Sequence, residues 1–115
     1  MLSPGPATKI YLAAGATDLR AGFERLSVLV QAVLGQSAVS GHLFVFCNAA
    51  RTRIKILYWD GNGLWLLTKR LERGTYSWPR PAEAGKVKLH LAPEAFALLT
   101  DGIDLHGAKP RGWYE

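Results

Sequence analysis

His42-Leu-Phe-Val-Phe-Cys47, Asn48-Ala-Ala-Arg51, Thr52-Arg-Ile-Lys-Ile-Leu-Tyr-Trp59, Asp60-Gly-Asn-Gly63 and Leu64-Trp-Leu-Leu-Thr-Lys-Arg-Leu71 follow one another without a break. Three runs rich in β-branched and aromatic residues are separated by two short segments of turn-forming residues. Asp60-Gly-Asn-Gly63 supplies positions that tolerate positive φ, and Asn48 to Arg51 can turn as well. Strands joined this tightly read as an antiparallel meander.

Upstream the period changes. Leu19, Phe23, Leu26, Val30 and Val33 recur at helical spacing, which predicts a helix between Asp18 and Leu34. Thr17 or Asp18 can cap its start and Gly35 can end it. Lys9 to Ala13 reads as a short strand before it. Downstream, residues 72–85 read as a Gly/Pro-containing loop and Lys86 to Leu91 as a fourth strand after the three of the meander. Pro93 suits the first turn of a helix reaching Thr100, with Gly102 placed to end it. The expected architecture is α+β: an antiparallel four- to five-stranded sheet packed by an N-terminal helix, with a short C-terminal helix. Residues 1–106 would form a single domain and 107–115 a flexible tail. The chain's 115 residues suit one core of this size.

Charge is concentrated. Residues 49–90 hold nine basic and three acidic side chains, while 1–48 are nearly balanced and 91–115 are slightly acidic; the whole chain carries +5. Clustered cations suit a polyanion surface, because each phosphate contacted releases counterions. A basic balance kept for solubility is the competing explanation, and the clustering favours the polyanion surface over it. Alternation puts Arg51, Arg53 and Lys55 on one strand face and Ile54, Ile56 and Tyr58 on the other, toward the helix. Lys86, Lys88 and His90 repeat the pattern. This predicts a half-exposed sheet with a cationic face, made partly apolar by Leu57 and Trp59. Lys69, Arg70, Arg73 and Arg80 interleave with Tyr76 and Trp78 in the following segment. There the aromatics can stack on bases, anchor a partner, or close the end of the core. Trp59 and Trp65, inside strands, read more readily as core, Trp59 also as a candidate stacking or partner contact.

Catalytic patterns are poor. His42, His90 and His106 are scattered, Asp60-Gly-Asn-Gly lacks the later acidic positions of a calcium loop, and Gly85-Lys86 lacks the rest of a phosphate-binding loop. Asp101 and Asp104 read as turn residues. A single cysteine, Cys47, precludes an internal disulfide and follows an apolar run with no evident base. No metal site, cofactor or catalytic residue is expected. No apolar run approaches a membrane span and the start does not read as a signal peptide, so the expected setting is cytoplasmic.

Ser40-Gly-His-Leu-Phe-Val-Phe-Cys-Asn48, Ile54-Lys-Ile-Leu-Tyr-Trp-Asp-Gly61, and Lys69-Arg-Leu-Glu-Arg-Gly74 with Trp78-Pro79 carry a family resemblance. Thr17-Asp-Leu-Arg-Ala-Gly-Phe23, Leu99 through Leu105 and Trp113-Tyr114 extend it. Together they resemble the TnpB accessory protein of insertion sequence 66 elements, and not the RNA-guided nucleases that share that name. The resemblance implies a small non-catalytic bacterial protein encoded beside a transposase and needed for efficient transposition. Lys55, Trp59, Asp60, Lys69, Arg70, Arg73 and Trp78 match its strongest motifs. Ala49, Ala50 and Thr52 depart from it, standing where relatives often carry charges. Ala92 stands where relatives often have Thr, which removes a helix cap worth ~1 kcal/mol.

The resulting expectation is an accessory factor binding DNA, with RNA also compatible. Its contacts would be Arg51, Arg53, Lys55, Lys69, Arg70, Arg73, Arg80, Lys86 and Lys88, with Trp59, Tyr76 and Trp78 stacking or touching a partner. The alternative is an adaptor that docks on the element's transposase without touching DNA. A homodimer formed through a free sheet edge fits either reading.

Overall fold

The computed structural model describes residues 8–80 and 88–101. At its centre lies β2, Leu43–Cys47, whose five residues are all buried. A strand buried along its whole length must be covered on both faces. It pairs antiparallel with β3, Arg53–Trp59, which pairs antiparallel with β4, Leu64–Arg70. This is the expected meander. Its first turn is held by Asn48, whose Oδ1 accepts from the Thr52 and Arg53 amides at 2.9 and 3.1 Å. Arg51 completes that turn in the left-handed region at φ 59°. In the second turn Asp60 Oδ1 accepts from the Asn62 and Gly63 amides at 3.0 Å, and Gly61 takes φ 108°.

The other side of β2 overturns the all-antiparallel expectation. β1, Ile10–Ala13, runs parallel to β2, and β5, Lys88–Leu91, runs antiparallel to β1, giving a mixed sheet of order β4-β3-β2-β1-β5. Parallel neighbours need a crossover of a dozen or more residues. The segment between Ala13 and Leu43 provides one, and it contains α1, Phe23–Leu34.

α1 begins later than the periodicity suggests. Gly22 occupies the N-cap without a side-chain bond, and Thr17 and Asp18 lie outside the helix. Asp18 instead folds back on Arg20, taking its backbone N–H at 3.0 Å and its guanidinium at 2.7–3.2 Å. Gly35 does end the helix, at φ 64°. The buried stripe is Leu26, Val30 and Leu34 at a spacing of four, whereas Phe23 and Val33 are exposed.

The faces of the sheet are also covered otherwise than alternation predicts. The α1 stripe packs with Tyr11, Ala13, Phe44, Phe46 and Leu57. It therefore covers the face that carries Lys55, not the face of Ile54, Ile56 and Tyr58. That opposite face is covered too. Tyr76 and Trp78 cross it, and α2, Pro93–Thr100, adds Ala95 and Leu99, all in one cluster with Ile10, Leu12, Leu43, Val45, Ile54, Ile56 and Leu91. Three bonds anchor the crossing segment: Tyr76 N–H to the Arg51 carbonyl at 2.7 Å, Trp78 Nε1–H to the Ala13 carbonyl at 3.0 Å, and Gly15 N–H to the Pro79 carbonyl at 2.8 Å. The sheet is a middle layer, not a half-exposed one. α2 starts as expected at Pro93, with Ala92 supplying no side-chain cap. Gly102, Asp104, His106 and the 107–115 tail lie outside the described residues.

Candidate nucleic-acid interface

The cations that the sequence groups together are divided by the fold into three sets. The first sits where β3 begins and β4 ends. The Asp60–Gly63 turn sets Trp59 opposite Leu64, and counting back along the ladder sets Arg53 opposite Arg70. Arg51 precedes β3 in the neighbouring turn. Tyr76 N–H, bonded to the Arg51 carbonyl, brings the short loop that carries Arg73 back beside it. All four side chains belong to exposed residues. Like charges directly opposite each other on a sheet destabilise it. Glu72 is the one acidic side chain in an ion pair here among the described residues, 3.6 Å from Arg70 and largely in solvent. Such a pair contributes little in water.

A second set has internal work. Lys55 is partly buried, and its Nζ donates to the Ala21 carbonyl at 3.0 Å, tying β3 to the segment that leads into α1. Lys69 points to the other face and donates to the Thr100 carbonyl at 2.6 Å. A cation there offsets the partial negative charge at the C-terminus of α2. Its residue remains exposed, so Lys69 borders the first set without belonging to it. Of the third set, Arg80 is exposed beyond the buried segment and Lys88 opposes Ala13 on β5, at the other edge of the sheet, while Lys86 lies outside the described residues.

The aromatic candidates are corrected more sharply. Tyr76 is 0% and Trp78 3% exposed. Of the readings open to them, they close the core, and neither offers a ring face to a base. Desolvation pushes the Tyr76 phenol up to about 12. Trp59 is half-buried. Trp65, which the sequence assigns to the core, is 51% exposed, its Nε1 donating to Asp60 Oδ2 at 2.7 Å. Strand alternation places Trp65 and Leu67 on one face of β4, and among the described residues both stay exposed there. The Arg53–Arg70 juxtaposition follows from the Asp60–Gly63 closure of the turn, which fixes the register.

Other chemistry is sparse. Among the described residues no group of three or more His, Cys, Asp and Glu side chains is arranged to hold a metal. Cys47 is buried, and desolvation raises its thiol to about 12, far from a reactive thiolate. No helix among the described residues is long and apolar enough to cross a membrane.

A family model described as IS66 Orf2 like protein matches residues 8–110. The chain belongs to the IS66 Orf2-like family. Two relatives from Sinorhizobium fredii (strain NBRC 101917 / NGR234), the uncharacterized proteins y4hO and y4jC, are 39% and 38% identical to it over 104 residues. Each alignment covers 90% of this chain, with 88% and 86% of the respective relatives. No solved structure matches the chain. Membership associates this IS66 Orf2-like protein with an insertion sequence, and hence with transposition. The match spans β1 through α2, so the cation cluster lies inside the family domain.

Proposed function

We propose that this protein is a non-catalytic accessory factor of transposition that binds nucleic acid through Arg51, Arg53, Arg70 and Arg73. The observation that carries the reading is the Arg53–Arg70 opposition, flanked by two further arginines and relieved by one exposed carboxylate. A fold that needed these positions only for solubility would gain by separating the charges or pairing them. Phosphates supply the missing countercharge, and arginine meets them in a bidentate fork. These four arginines lie on strand and turn positions of the sheet rather than on a helix, so the contacts fall on the backbone and the sequence preference is weak.

Fluorescence anisotropy with labelled duplex DNA, single-stranded DNA and RNA across a salt series tests this. Four phosphate contacts give a log–log slope of about −3.6 on duplex DNA, and the Arg53→Gln/Arg70→Gln variant halves it. Absence of binding at low salt, or a slope that the double variant leaves unchanged, rules the reading out.

A transposase-docking adaptor is the second reading. It is favoured by Phe23, Val28, Val33 and Val39, which remain exposed along α1 and just after it. Co-purification with the transposase that survives nuclease digestion supports it, and loss on digestion returns the case to nucleic acid.

A further inference from the structure

We propose that β4 pairs with β4 of a second copy of this chain, antiparallel about a two-fold axis at Leu67, so that two five-stranded sheets join into one. β4 is an edge of the sheet, and among the described residues no strand lies on its outer side. Two bonds bracket its inner ladder: Leu71 N–H to the Thr52 carbonyl at 2.9 Å and Asp60 N–H to the Gly63 carbonyl at 3.1 Å. Bonded and non-bonded pairs alternate in an antiparallel ladder. Trp65, Leu67 and Lys69 therefore turn their backbone groups toward β3, while Leu64, Leu66, Thr68 and Arg70 turn theirs outward.

Edge strands are usually blunted by proline, a bulge or charge along their length. β4 has neither proline nor bulge in its seven-pair register, and its cations sit only at one end. Apart from Thr68 its other residues are apolar, with Trp65 51% and Leu67 37% exposed.

Backbone pairing and charge together favour a second copy in this register. In an antiparallel two-fold pair centred on Leu67, all four outward residues of each copy find a bonding partner: Leu64 with Arg70 and Leu66 with Thr68, each way. The Arg70 residues of the two copies then lie ~20 Å apart along the strands. Moving the axis toward Arg70 would bring Lys69 and Arg70 of both copies together. With the axis at Leu67, Lys69 of one copy faces Trp65 of the other. That indole is bonded to Asp60, the acidic side chain of the β3–β4 turn. The Lys69 stem lies on the ring while its ammonium keeps the Thr100 carbonyl. Leu67 meets Leu67 at the axis. The two-fold is perpendicular to the sheet, so both α1 helices and both Arg53–Arg70 pairs share one face. The inference does not depend on what those arginines bind.

Sedimentation equilibrium on the full chain, with oxidative cross-linking of single-cysteine variants, tests it. Opposed Leu67 positions form a non-bonded pair with Cα atoms ~4.5 Å apart, within disulfide span. The two Trp65 positions stand ~14 Å apart, beyond it. Wild type is expected at twice the mass of one chain, Leu67→Cys to cross-link, Trp65→Cys not to, and Leu67→Lys to weaken association at least tenfold without unfolding. Buried Cys47 stays out of the reaction. A single-chain mass at high concentration overturns the proposal and leaves the edge to a strand from another protein. Equal cross-linking at both positions, or a dimer indifferent to Leu67→Lys, overturns the edge and its register.

Discussion

Trp78 shows how much a single side chain contributes to this fold. Its indole fills the face opposite α1 and donates to the Ala13 carbonyl, joining the segment after β4 to β1, 65 residues away in sequence. Trp78→Ala removes that volume and orphans a buried acceptor. The expected loss is about 3–5 kcal/mol in urea denaturation, with Trp78→Phe losing less because most of the volume stays. His42 makes the pH dependence local. Its Nδ1 accepts from the Lys9 amide at 3.0 Å, and desolvation, then Lys9 and His90, hold its pKa below the ordinary 6.5. The unfolded chain then binds protons more readily than the folded one, so this contribution is present above pH 6.5 and is lost on acidification. Urea midpoints should fall as pH drops below that value, and His42→Gln should flatten the dependence. Asp18 adds a lower window. Its carboxylate is held at about 2 by Arg20, so its contribution is lost between 3.8 and 2 as pH falls.

At the scale of elements, the ends of the two helices carry the tests. Gly35 closes α1 in the left-handed region with open space where a Cβ would stand. Gly35→Ala therefore meets no neighbour, only backbone strain, and should cost about 1 kcal/mol in thermal or urea unfolding. α2 offers the opposite sign. Ala92 is extended at the N-cap and leaves the first amides of the helix without a side-chain acceptor, so Ala92→Ser should stabilise by ~1 kcal/mol. The elements themselves were largely legible: the meander, Gly35 and Pro93 stand where periodicity and turn chemistry place them. The start of α1 was not. Asp18 is a good cap by type, but the nearer guanidinium of Arg20 takes its oxygens, and local electrostatics outweighs propensity.

Across the whole molecule, the sheet's two covers decide which cations remain available. Arg53→Gln relieves the opposition with Arg70, so it should raise stability, by no more than about 1 kcal/mol, while weakening polyanion binding and reducing the salt slope by about 0.9. Calorimetry and anisotropy on the same protein check both halves. A variant that loses binding while gaining stability identifies a position held for function and not for folding. Lys55→Met should behave differently, costing stability through the lost Ala21 anchor while leaving the slope unchanged.

Residue order alone determined the three-stranded meander, the two helices and the family, because each depends on short-range turn chemistry, periodicity or motif. Tertiary structure decided that β1 runs parallel to β2, which face of the sheet each helix covers, that Tyr76 and Trp78 are core, and that Trp65 is not. Those outcomes turn on what is buried against what across dozens of residues. Alternation along one strand distinguishes two faces but does not say which of them a distant segment will cover.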